Sequence, residues 1–128
     1  MSARENVLEA LFTTLTPILP GSVWRSRKEQ FPSLPAIVIS PLTEEGQGDV
    51  LGRIDCTLSV AIAVYARAEI PDQAADQILE DILSALNADT TIGLGSDVQI
   101  LPSRRIDWAI ENYDDNAATL HLEILYRK

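Results

Sequence analysis

The chain has 128 residues, 46% of them hydrophobic, which suits one domain over residues 1–128 with a single core. Nineteen acidic against ten basic side chains give a formal net charge of −9, which works against adhesion to nucleic-acid phosphates or anionic membranes. The lone cysteine, Cys56, excludes an internal disulfide and is compatible with a reducing compartment.

In chain order, the N-terminal MSARENVLEALF lacks a basic segment followed by an apolar one, and no apolar run approaches the ~18 residues of a spanning helix. A soluble, cytoplasmic protein is therefore expected. Ser2 with Glu5 forms a capping-box pattern, and Val7, Leu8, Leu11, Phe12 and Leu15 recur at helical spacing. The helix should end near Leu15, because Thr16 before Pro17 avoids the α region and the proline lacks an amide donor. Pro20-Gly21 turns the chain, and Val23-Trp24 begins a short strand. Arg25, Arg27 and Lys28 form a small basic patch; a solvated loop or strand edge is its plain reading, and a phosphate contact its functional one.

Pro32 and Pro35 frame Ala36 to Ser40, a β-branched run that reads as a buried strand. Leu42 to Gly52 (LTEEGQGDVLG) has three glycines and three acidic side chains and no period, so a long loop between two strands is expected. Such loops commonly serve contact or binding. Glu44, Glu45 and Asp49 carry suitable oxygens for a hard cation, but the spacing of a calcium loop is missing. No metal or other cofactor is expected, and Glu44, Glu45, Gln47 and Asp49 become candidate contacts to a partner subunit.

Arg53 to Arg67 (RIDCTLSVAIAVYAR) organises the chain. Ile54, Cys56, Leu58, Val60, Ile62 and Val64 occupy every second position, which defines a long strand with one apolar face. Its other face starts polar and becomes small and apolar toward Tyr65, which suits a subunit contact; Tyr65 and Arg67 join the candidate contacts. Pro71 and Asp72 then open a second helix. Ala75, Ile78, Leu79, Ile82, Leu83 and Leu86 line one side of it, and Gln73, Gln77, Glu80, Asp81 and Ser84 the other. Leu79, Ile82 and Leu83 should pack on Leu58, Val60 and Ile62, and Asn87 should end the helix.

The loop ADTTIGLGSD contains glycines, but it follows a helix and precedes a strand, the wrong order for a phosphate cradle. Val98 to Leu101 begins a strand that continues through Arg104 to Ile110, with Ile106, Trp108 and Ile110 near one side and a bulge or bend near Pro102. Asn112 to Asn116 makes a hairpin turn. Ala118, Leu120, Leu122, Ile124 and Tyr126 form the apolar face of the closing strand.

These elements predict an α+β domain: a mainly antiparallel sheet of four to five strands with two helices packed on one face. No catalytic constellation emerges. His121 belongs to the polar face of its strand and Cys56 to the core face, so nucleophile and base point apart. The neighbouring carboxylates Glu80/Asp81 and Asp114/Asp115 share like environments, and Trp24 and Trp108 read as core or interface anchors. An enzyme is the disfavoured reading.

The element order, the strand ending Val64-Tyr65-Ala66-Arg67, the helix IPDQAADQILEDILSALN, the strands around Trp108 and the closing LEILYR together resemble the phage tail terminator proteins related to minor tail protein U. The resemblance covers most of the chain and rests on pattern and order. It implies a non-enzymatic structural protein of a phage or prophage, acting in the virion tail and assembled in the host cytoplasm. Its subunits would form a homo-oligomeric ring, commonly a hexamer, that caps the tail tube, ends its polymerisation and meets a head-completion or connector protein. It would have no cofactor, no stable hold on nucleic acid and no membrane contact. A head–tail connector or tail-completion protein is the nearest alternative, and a small α+β enzyme or ligand-binding domain the alternative of another class.

Overall fold

The computed structural model describes residues 2–25, 34–48, 52, 54–66, 71–108 and 116–127. Helix α1 (Ala3–Leu15) starts where Ser2 Oγ accepts the Glu5 amide at 3.0 Å. It runs into a 3₁₀ turn (Thr16–Ile18) at Pro17. Strands β1 (Val23–Arg25), β2 (Ala36–Gly48) and β3 (Ile54–Tyr65) follow. Helix α2 (Pro71–Ala88), a second 3₁₀ turn (Gly95–Asp97), β4 (Val98–Trp108) and β5 (Asn116–Arg127) complete the order.

The domain is α+β, and its five described strands form one sheet in the order β1-β2-β3-β5-β4. The sheet is mixed, which corrects the expected mainly antiparallel arrangement. β1 runs parallel to β2, with Val23 opposite Ile37 and Arg25 opposite Ile39, whereas the pairs β2–β3, β3–β5 and β5–β4 are antiparallel. Two strands joined by a turn run antiparallel, and parallel neighbours need a returning crossover. Residues 26–35 separate β1 from β2, and nothing in their composition announces that return.

A second correction concerns Leu42 to Gly52, expected as a loop. β2 continues past Pro41 to Gly48, and each residue from Thr43 onward pairs with β3, ending at Gly48 opposite Ile54. The proline is accommodated because the register slips between Pro41 and Thr43, and because β1 pairs only as far as Ile39 among the described residues, so a bulge on this uncovered stretch of edge tolerates a missing donor. The hydrogen-bonding partner strand overrides the weak local propensity of the glycines.

On β3 the burial alternates as its sequence predicts from Cys56 onward: Cys56, Leu58, Val60, Ile62 and Val64 are buried, whereas Ile54, expected in the same set, is exposed at the start of the strand. They share one core with Val7, Leu8, Leu11 and Leu15 of α1 and with Ala75, Ile78, Leu79, Ile82 and Leu86 of α2. Leu83 is only partly buried at its margin, and Gln73, Gln77, Glu80, Asp81 and Ser84 face outward. Burying one such aliphatic side chain contributes about 1.5–3 kcal/mol, so these stripes are what dock the helices.

Tyr126 is 1% exposed at the core end of β5, opposite Cys56, and its hydroxyl has no hydrogen-bond partner among the described residues. An unmade buried hydrogen bond costs about 1–3 kcal/mol. Tyr126→Phe should therefore raise the urea midpoint by the equivalent of ~1 kcal/mol with an unchanged slope; a midpoint lowered by as much would mean that the hydroxyl is satisfied.

The turn after α2 is built on Asp89. Its Oδ1 accepts the Thr91 hydroxyl at 2.6 Å and the Thr91 amide at 3.0 Å, and its Oδ2 accepts the Gly93 amide at 2.9 Å. Gly93 takes φ 77°, a left-handed value that glycine tolerates without strain. The Thr90 carbonyl then accepts the Ile100 amide at 2.9 Å, laying this turn along the first part of β4. The hydrogen bonds, led by that of the Thr91 hydroxyl, hold the Asp89 carboxyl below its ordinary 3.8. A depressed folded-state value stabilises the fold above the ordinary one, and this contribution is lost as pH falls through the folded value. Asp89→Ala should lower the thermal midpoint at neutral pH and flatten the decline below about pH 4; identical acid profiles for variant and wild type would remove Asp89 from this role.

Candidate functional site

Both helices lie on one face of the sheet, so alternation along the strands assigns every other side chain to the opposite, open face. Of the three register shifts in the described sheet, one lies between Val64 and Tyr65 of β3, and the other two flank a groove on this face, between Pro41 and Thr43 in β2 and between Ile100 and Arg104 in β4. The bulge or bend expected near Pro102 is the last of these. The groove, of about 450 Å³, is lined by Leu42, Thr43, Ser59, Arg104, Arg105, His121 and Glu123 among others. His121 Nε2 lies 2.9 Å from Asp107 Oδ2, and Arg105 Nη2 donates to the same oxygen at 3.0 Å.

Ser59, His121 and Asp107 belong to three adjacent strands, the residue types of a hydrolytic triad. His121, however, presents Nε2 to the carboxylate, and no hydrogen bond joins it to Ser59 among the described residues. The relay lacks the contact between nucleophile and base. Cys56, opposite Tyr126 and 1% exposed on the helix side, is separated from His121 by the sheet itself.

The candidate partner contacts fall in different places. Glu44 lies on the helix side of β2 and is held within the molecule: Arg4 of α1 donates to it through Nε at 2.9 Å and Nη2 at 2.7 Å. This forked pair ties the start of α1 to the far half of β2. Glu45, the next residue, projects from the opposite face and is exposed. Adjacent strand residues diverge in this way, so Glu44 and Glu45 cannot share one cation. Gln47 is exposed opposite Asp55, and Tyr65 is half-buried opposite Ala36. Asp49 and Arg67 lie outside the described residues.

In the basic patch, Arg25 is engaged by α1. It donates to both carboxylate oxygens of Glu5 and, at 3.4 Å, to Glu9. The hydrogen bond from Arg25 is the main cause holding the Glu5 carboxyl below its usual range. Its charge is thus spent on α1 and is poorly placed to meet a phosphate. Arg27 and Lys28 lie outside the described residues.

No family model matches this chain, and no curated protein does. The surface features stand on geometry alone. Several of them had no place among the residues singled out from sequence. The sequence pattern places Arg104, Arg105 and Asp107 only in an extended stretch, and Leu42 in a loop. A usable signal was present: in RRID, charges of opposite sign at Arg105 and Asp107 occupy one face of a strand whose other face carries Ile106.

Proposed function

We propose that the protein is a structural virion component of the tail-terminator kind, closing as a homo-oligomeric ring, of about six copies, on the end of a phage tail tube. There it ends polymerisation and offers the surface that a head-completion or connector protein joins. The resemblance of element order and strand endings supplies the family. The observation that carries the reading is the asymmetry of the sheet: one face is sealed by two helices, while no helix is packed on the other among the described residues, and that face is open around the groove although Ala36 and Val38 near β1 are buried. A flat, open face beside long strands suits subunit packing, and the acidic balance suits a ring through which DNA passes without adhering.

The reading is tested by adding the protein to tubes polymerised from tail-tube protein of the same source. Electron microscopy should show a ring at one tube end and arrested elongation, and light scattering of the released complex should give about six copies. Duplex DNA should elute unretarded at about 150 mM salt, where sequence-independent binding requires several neutralised phosphates. Tubes that elongate unchanged, or DNA retained at micromolar protein, would overturn the assignment. A protein that joins preformed capped tails to heads without stopping elongation would instead be a connector.

A further inference from the structure

The two outer edges of the sheet carry complementary features. β1 pairs only with Ile37 to Ile39, so the outer edge of β2 beyond Pro41 has no strand beside it among the described residues. At the other side of the sheet, the Asp89 turn covers the start of β4 through the Ile100 amide, and Arg104 to Trp108 have no outer strand among the described residues. Each open stretch exposes one large apolar side chain, Leu42 at 53% and Trp108 at 44%. Each also bears charge: Glu45 on β2, with no ion-pair partner among the described residues, and Arg104 and Arg105 on β4, of which Arg105 is held by Asp107 on its own strand. The unpaired backbone groups of such edges are templates for another strand.

From this geometry we propose that the ring closes by strand addition, the β4 edge of one copy pairing antiparallel with the β2 edge of the next. The order of features selects the direction. Along β2 the apolar residue precedes the acid, and along β4 the bases precede the apolar residue, so antiparallel strands that bring Glu45 to Arg105 also bring Leu42 and Trp108 to the same end of the seam, whereas parallel strands would send them to opposite ends. With Leu42 opposite Trp108, Thr43 meets Asp107, Glu45 meets Arg105, and Gly46 meets Arg104. Directly opposite residues share a face, and this register satisfies that rule at the charges: Glu45 and Arg105 both lie on the open face, and Gly46 and Arg104 both on the helix side; Leu42, brought to the groove by the bulge, and Trp108, on the helix side opposite Ala118, flank the same end of the seam on its two faces. Gly46 has no side chain to obstruct the Arg104 guanidinium. Arg105, whose side chain is 70% exposed, can turn from Asp107 to Glu45. In a chain of net charge −9, this local match of opposite signs offsets the repulsion between copies. The contact is heterologous, the kind that generates a ring when the rotation closes.

The proposal rests on the homo-oligomeric reading above, and a cross-link separates the two. The double variant Glu45→Cys, Arg105→Cys is oxidised mildly, alone and on tail tubes; Cys56 stays in place because it is 1% exposed. Opposed strand residues lie within reach of a disulfide. The double variant should give a ladder ending at a closed ring on a non-reducing gel, each single variant a monomer band, and an equimolar mixture of the singles a dimer. Glu45→Arg and Arg105→Glu should each lower the ring fraction at least tenfold, and the two together should restore it. Rings seen by light scattering without cross-linking would overturn the edge pairing while leaving the ring intact. Self-linking of either single variant would overturn it in favour of like edges meeting. A chain monomeric under every condition, tubes included, would overturn both readings.

Discussion

Ile82→Asp should abolish folding. Ile82 is 0% exposed in the middle of α2, in a core shared with Leu58, Val60 and Ile62 of β3. An aspartate there must either ionise in an apolar surrounding or bury an unpaired neutral carboxyl, and either costs several kcal/mol. Native domains are stable by only about 5–15 kcal/mol, so the loss is comparable with the whole. Far-UV circular dichroism and an amide NMR spectrum should show an unfolded or molten chain. Ser84→Asp, two residues along on the exposed side of α2, should stay within about 0.5 kcal/mol of wild type. A folded Ile82→Asp protein with native dispersion would mean that α2 docks through another face.

Leu120→Ala costs about 2–5 kcal/mol, the range for a large aliphatic side chain removed from a packed interior. Leu120 is 0% exposed on β5, opposite Ile62 on one side and Ile106 on the other. The hole it leaves is roofed by the helices and walled by neighbours fixed in strands, so little collapse can fill it. The same substitution at Leu125, 39% exposed on the other face of the same strand, should cost the monomer at most ~0.5 kcal/mol. Urea unfolding of the two variants checks the face assignment of β5 directly; equal costs would show that the strand is not two-sided.

What was legible in the chain was whatever a single element encodes in its own period. The helical stripe through Ile78, Leu79, Ile82 and Leu86 and the alternation through Cys56, Leu58, Val60 and Ile62 each state which side meets the core, because burial acts at every repeat. Ser2 and Pro17 mark the ends of α1 for the same local reasons. The bulge beside Pro102 was legible too, because a proline cannot serve every bond of a ladder. What was not legible depends on a partner distant in sequence. Thr43 to Gly48 look like a loop until β3 supplies their hydrogen bonds. Val23 to Arg25 do not reveal that they lie parallel to β2. The Arg4–Glu44 and Arg25–Glu5 pairs join side chains that no periodicity relates, so Glu44 and Arg25 looked available for partners when the fold had already engaged them. Trp108 reads as an anchor, yet it is 44% exposed opposite Ala118.

The partial covering of both sheet edges also bears on solubility. A sheet with two long, straight, bare margins would nucleate fibrils, since any extended segment could stack on it indefinitely. Here β1 blocks one end of the β2 margin, the Asp89 turn blocks one end of the β4 margin, and the bulge beside Pro102 bends what remains. The uncovered lengths are short and carry arginine and glutamate, charges that act as gatekeepers against cross-β growth. Concentrated solutions should therefore stay clear and silent to amyloid dyes over days, and straightening β4 by removing its bulge should be the change that shortens the lag before fibrils form.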